Sequence, residues 1–221
     1  MDRLNTFPSR VLRRYRDAFS TRGFRTAALY SILFFAASTV VSFYAISYAN
    51  YAAGSYVTDI VLSNTPALDV DGLFGYGTIL LIAFVTLLLL AYPKRIPFSL
   101  NAMAVFYIIR SAFTTLTHLG PFPGTVANGD WGVLLSHFLF GDDYFFSAHV
   151  GVCFLLALVF WRERSLRWVF LAWSAYMAIV VLAGHYHYSI DVASAYFITY
   201  TIYILSEKFF PESLRLFESA S

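Results

Sequence analysis

Charge is scarce in this chain. Only 13% of its 221 residues are Asp, Glu, Lys or Arg, while 59% are hydrophobic. A soluble domain carries about 25% charged and 45–50% apolar residues, so a surface wetted on every side is excluded. The deficit runs along most of the chain, as expected where the lipid-facing surface is apolar as well as the core. Cysteine is scarcer still: the one cysteine, Cys153, lies in an apolar run, which excludes an intramolecular disulfide and leaves the redox compartment open. Repeats, low-complexity stretches and a second domain are lacking, and nothing points to a nucleic-acid partner.

What is present is a series of uncharged runs. Residues 27–49 and 72–93 are each long enough to cross a hydrocarbon core of about 30 Å at about 1.5 Å per residue. Further runs cover roughly 97–118, interrupted by Arg110, then 145–161, 168–184 and 188–206, the last interrupted by Asp191. The expected fold is therefore all-α, a polytopic membrane protein of six spans. Residues 1–26 are expected to form an Arg-rich cytoplasmic tail, 27–206 a six-helix membrane catalytic domain, and 207–221 a cytoplasmic C-terminal tail. The N-terminal tail lacks a small-residue cleavage pattern and does not read as a secretory signal. Val11, Leu12, Tyr15 and Phe19 recur at helical spacing among its arginines, which suits a helix lying on the cytoplasmic leaflet. A disordered basic tail that only sets topology is the alternative.

The cations are one-sided. Arg3 to Arg25, Lys94, Arg95, Arg162, Arg164, Arg167, Lys208 and Arg215 all fall at one end of a six-span arrangement, and segments 50–71, 119–144 and 185–187 hold no Lys or Arg. The positive-inside rule then places both termini in the cytoplasm. The five histidines, 118, 137, 149, 185 and 187, all belong to the opposite half, as do Arg110 and Asp191. A charge at the centre of a membrane helix costs roughly 2.5–3.5 kcal/mol on insertion scales, so such groups face one another, a cavity or a ligand. Arg110 and Asp191 as a structural pair would meet that need but would leave the gathering of histidines unexplained.

The densest polar stretch is GHYHYSIDV, residues 184–192. His187 and Asp191 are four apart, the spacing at which side chains share a helical face. A carboxylate there can accept the hydrogen bond of one imidazole nitrogen and leave the other as base or nucleophile. With a second histidine and Arg110 at the same depth, the set suits a phosphate held by the arginine, attacked by one histidine, with its leaving group protonated by the other.

DYFFSAHV (143–150) and HYSIDVASAY (187–196) resemble the two signature motifs of the sphingomyelin synthase family, within the type 2 phosphatidic acid phosphatase superfamily. Asp143, Ser147 and His149 agree in the first; His187, Tyr188, Asp191, Val192, Ala195 and Tyr196 agree in the second. YIIRSAFTTLTHLGPFPG (107–124) is similar to the family's third-span segment. The resemblance implies a catalytic triad of His149, His187 and Asp191, with Arg110, Asp143, Ser147 and Tyr188 contacting substrate. It implies a phosphohistidine mechanism without metal or other cofactor, at the extracytoplasmic face. The donor would be a phospholipid, and the acceptor ceramide, diacylglycerol or water. Ala148 and Val150 depart from the usual glycine and threonine, and Gly141 stands one place early. The phosphatase branch's lysine-to-arginine-proline motif and its serine–arginine pair are absent. A transferase or phospholipase C-like enzyme is therefore expected ahead of a lipid phosphate phosphatase.

Other readings stand beside these. His185 suits a headgroup or helix-end contact. Asp142 and Asp143 suit helix capping or an amine headgroup. His149, His185, His187 and Asp191 as a metal shell in a transporter or oxidoreductase is the alternative of another class. Headgroup, acceptor and any homo-oligomer stay open.

Overall fold

The computed structural model describes residues 7–124 and 144–220, and no strand occurs among them. Eight α-helices are described: α1 (Phe7–Ser20), α2 (Phe24–Ala52), α3 (Asp71–Ala91), α4 (Ile96–Leu116), α5 (Ala148–Val159), α6 (Arg164–Ala183), α7 (Ser189–Phe209) and α8 (Pro211–Glu218). Four of these stretches, α2, α3, residues 93–116 and α6, are long and apolar enough to cross a membrane, and the chain is an integral membrane protein. α7 matches them in length at 21 residues, but carries Asp191, Glu207 and Lys208 near its ends.

α5 has only 12 residues, about 18 Å of helix. It is also the central helix. Packed by α4, α6 and α7, it buries Val150, Gly151, Cys153 and every residue from Leu155 to Val159. α2 packs along α4, and α3 packs on α6. Phe74, Phe106, Phe146, Phe160 and Phe170 fill the space between them and are fully or almost fully buried.

The arginine-rich end is closed by the two outermost helices. Arg14 of α1 donates to Ala91 O at 3.1 Å, and Asp17 pairs with Lys94 at 2.6 Å. α8 docks on α4 through Asn101 Nδ2 and Ser213 Oγ, 3.2 Å apart, with Phe217 against Phe98 and Phe160. Arg95, buried beneath it, pairs with Glu163 at 2.6 Å. The stretches read as tails are thus helical and packed where they are described: 7–20 forms α1, 207–209 ends α7, and 211–218 forms α8.

Candidate active site

The site is assembled at the other end, from α4, α5, α7 and two connecting segments. Arg110 and Thr114 share one face of α4 at helical spacing, and Thr117 follows just past its end. Arg110 Nε donates to Phe146 O at 2.8 Å, Thr114 Oγ1 to Phe145 O at 3.2 Å and Thr117 Oγ1 to Tyr144 O at 3.2 Å. Three successive carbonyls of the segment entering α5 are thereby laid antiparallel along α4. That segment delivers Ser147, at the N-cap of α5, and His149, in its first turn. Ser147 N donates to Asp191 O at 3.2 Å, so the starts of α5 and α7 are joined directly.

α7 begins at Ser189 with Tyr188 as its N-cap, so His187 lies just before the helix. The helical-face argument for the His187–Asp191 pair therefore gives way to a capping one. Asp191 is the third residue of the helix, and its Oδ2 accepts from Tyr188 N at 3.0 Å, the return half of a capping box. His187 Nδ1 lies 3.3 Å from the same oxygen, which assigns the proton to Nδ1 and leaves the Nε2 lone pair for chemistry. The His149 and His187 ring centroids are 6.5 Å apart. A phosphoryl group fits that gap, since in-line attack and proton transfer each need about 3 Å. His149 also packs on Phe74, centroids 4.4 Å apart.

His187 and Asp191 are buried, and His149 is half-buried. Among the described residues, Ser147 Oγ, His149 Nδ1 and Asp191 Oδ1 are buried polar atoms without a hydrogen-bond partner. Orphaned polar atoms cost free energy unless a ligand or water meets them. A cavity of about 310 Å³ reaches this point between α2 and α3. Its walls include Phe35 and Ile46 of α2, Leu81 and Ile82 of α3, and Tyr107 of α4; Arg110, Ala148 and His149 stand at its polar end.

Two connecting segments, one before α3 and one after α4, form a collar over the start of α7. Gly54 N donates to His118 O at 2.9 Å and Gly120 N to Ser55 O at 3.2 Å. A Cβ on Gly120 would lie 2.2 Å from Gly54 O, so only glycine permits this crossing. Tyr188 OH donates to Gly120 O at 2.8 Å and accepts from Val57 N at 3.4 Å. Its phenol therefore serves the collar, with the side chain 1% exposed. Asp59, in the segment between α2 and α3, accepts at Oδ2 from Ser189 N (2.8 Å) and Ser189 Oγ (2.7 Å), and at Oδ1 from Val61 N (2.8 Å) and Leu62 N (3.0 Å). Burial pushes the Asp59 carboxyl up, but the bonds from Leu62, Ser189 and Val61 outweigh it and hold it below the ordinary carboxylate range.

Of the expected site residues, Arg110, Ser147, His149, His187, Tyr188 and Asp191 meet in this region, while Asp143, Asp142 and His137 lie outside the described residues. His185 turns away from the triad: its Nε2 is 3.4 Å from Thr65 Oγ1 and its ring 5.4 Å from that of Phe122. Burial lowers its basicity, against weaker pulls from Thr65 and Asp59. No set of three or more His, Cys, Asp or Glu able to hold a metal is gathered among the described residues. Asp59, Thr114 and Thr117 were not expected. For Asp59 a signal existed: Asp59, Asp69 and Asp71 sit in a segment with no cation to pair with.

Residues 141–208, which take in α5, α6 and nearly all of α7, match the family model described as PAP2 superfamily C-terminal. No curated protein matches the chain. The matched stretch carries both histidine motifs and supports the type 2 phosphatidic acid phosphatase superfamily, whose members are generally phosphatases or phosphotransferases acting on lipids.

Proposed function

We propose that this chain is a phospholipid headgroup phosphotransferase or phospholipase C-like enzyme, resembling the sphingomyelin synthases and working through a phosphohistidine at the extracytoplasmic face. The observation that carries this reading is the pair of imidazoles 6.5 Å apart with Asp191 behind one of them. His187 Nε2 attacks the phosphorus of the donor lipid, the bond from phosphorus to the diacylglycerol oxygen breaks, and His149 delivers a proton to that oxygen. A lipid hydroxyl or water then attacks the phosphohistidine while His149 takes its proton, which restores both histidines. Asp191 holds the His187 ring through Nδ1 and stabilises its positive charge. Arg110 and the Ser147 hydroxyl hold the phosphate oxygens and Asp143 completes the substrate contacts, whereas Tyr188, expected beside them, has its phenol engaged by Gly120 O and Val57 N.

The cavity between α2 and α3 favours a donor that arrives from the bilayer with an apolar chain, since His149 and Arg110 stand at its end. Six spans, α2 to α7, with both termini and the arginine-rich end in the cytoplasm, complete the proposal.

Purified protein in liposomes, with chelator present, is offered phosphatidylcholine, phosphatidylethanolamine or phosphatidic acid, with and without ceramide. Diacylglycerol release from the headgroup-bearing lipids is expected, and its loss in His187→Ala. Transfer of the headgroup to ceramide separates transferase from lipase. Phosphate released from phosphatidic acid alone would move the protein to the phosphatase side of the superfamily. Turnover that survives in His187→Ala would refute the phosphohistidine.

A further inference from the structure

Asp59 lies in neither histidine motif and roughly 130 residues before the stretch it touches, yet its carboxylate accepts four hydrogen bonds. Those bonds occupy about all the lone-pair sites a carboxylate has, so Asp59 has no acceptor left for a substrate. What it holds is the start of α7. The first amides of a helix have no partner within it, and the positive end of the helix favours an anion. Here two carboxylates divide that work over consecutive residues. Asp191 takes the amide of Tyr188 and Asp59 takes the amide and hydroxyl of Ser189.

We propose that Asp59 is a positioning residue, whose carboxylate clamps the first turn of α7 to the collar and so keeps His187 and Asp191 aligned with His149. The inference rests on the proposed reaction for its kinetic consequence, but not for its structural one. The clamp is anchored at both ends. Oδ1 is tied to the 3-10 turn that follows Asp59, through Val61 N and Leu62 N, and Ser63 N donates back to Asp59 O at 2.9 Å. On the helix side, Tyr188 is held from above by Gly120 O and Val57 N. His187 precedes these two pinned residues by one position and takes its direction from them.

The carboxylate form is required. Both oxygens face donors, two at Oδ1 and two at Oδ2, so Asp59→Asn points an NH2 group at one pair of donors and loses those contacts. Asp59→Glu keeps the charge on a longer stem and recovers part of the function.

The test combines kinetics with hydrogen exchange on the full-length protein in liposomes. With the best lipid substrate, Asp59→Asn is expected to lower kcat by about 10- to 100-fold while KM changes by less than about twofold, because the alignment of the nucleophile is lost and no substrate contact is. Ser189→Ala, which removes only the hydroxyl contact, has a smaller effect. The double variant falls short of the product of the two, since both act through one contact. In exchange, the amides of 188–192 lose protection in Asp59→Asn while those of α4 and α6 keep the wild-type rate.

A kcat within about twofold of wild type would overturn the proposal, as would a rise in KM at constant kcat, the mark of a headgroup contact. Uniform loss of protection across α4, α6 and α7 would reduce Asp59 to a general stabiliser. If the wild type turns over no lipid, the failure belongs to the proposed reaction, and the exchange at 188–192 still decides the clamp.

Discussion

Arg110 has one proposed task and one structural one, and only the first was legible in the sequence. A lone arginine within an apolar run pointed to an anion or a partner, and the side chain does stand at the polar end of the cavity beside His149. The second task, Nε donating to Phe146 O, depends on a residue 36 positions away, which no local pattern encodes. Arg110→Lys keeps a charge but cannot present the planar fork that meets a carbonyl and a phosphate together. Its turnover should fall at least about tenfold, and the melting temperature should fall too because Phe146 O loses its Nε donor; normal activity would show that the charge alone suffices. Thr114→Val deletes one rung of the same ladder and leaves Phe145 O without that donor. A loss of about 1 kcal/mol is expected, read as a lower melting temperature in detergent. Asp59 adds a pH dependence with a definite sign. Its folded-state pKa is depressed, so its stabilisation is complete above the unfolded value of about 4 and is lost as pH falls through the lower folded value. The stability gap between wild type and Asp59→Asn should stay constant from neutrality to about pH 5 and narrow only below about pH 4. A gap that widens between pH 7 and 5 would report His185, whose pKa Asp59 pulls upward. On balance that residue's pKa is lowered, so acidification below about 6.5 removes the stability its neutral form provides.

At the scale of elements, α2, α3, α4 and α6 were readable because membrane spans are written as long uncharged runs, and their edges moved by only a few residues. The run read as 145–161 hides two different structures: the segment 144–147 laid along α4, and α5 from Ala148. Tyr, Phe and Phe suit either equally well, and what decides between them is the row of donors on Arg110, Thr114 and Thr117. The threonines were visible in FTTLTH; their partners were not. α8 was missed because Leu214 and Phe217 are too few to mark a helix in eight residues, whereas its docking on Asn101 and Arg95's aromatic surroundings is tertiary. The centrality of α5 gives a packing test. A Cβ on Gly151 would meet the Phe106 ring at 2.7 Å and Thr199 Oγ1 at 2.9 Å. Gly151→Ala should therefore destabilise by about 1–3 kcal/mol through overpacking among α4, α5 and α7, despite the better helix propensity of alanine. A melting temperature at or above wild type would mean that Phe106 has room to turn aside.

At the scale of the whole molecule, charge and chemistry are separated along one axis. The arginine-rich end is closed by α1 and α8 and tied by the Asp17–Lys94 and Arg95–Glu163 pairs. The triad and its collar lie at the other end, where segments 50–71 and 185–187 carry no cation. Basic residues near a membrane surface are attracted to anionic cytoplasmic lipids by about 1 kcal/mol each, and charge asymmetry of this kind sets orientation. The proposed six spans then put the collar outside and both ends inside. Cys153 is buried, so replacing it with alanine gives a background without a reactive thiol at the surface. In that background Asn64→Cys, at an exposed position of the segment between α2 and α3, and Ser219→Cys, exposed beyond α8, report opposite faces. A membrane-impermeant maleimide should label the cysteine at position 64 in intact cells and the one at 219 only after permeabilisation. The reverse pattern would place His149 and His187 among cytoplasmic-leaflet lipids. Labelling of both in intact cells would mean that an even number of helices crosses between positions 64 and 219. The reversed pattern alone would change which leaflet supplies the donor, because a histidine pair at one end of the bundle reaches only the headgroups on its own side.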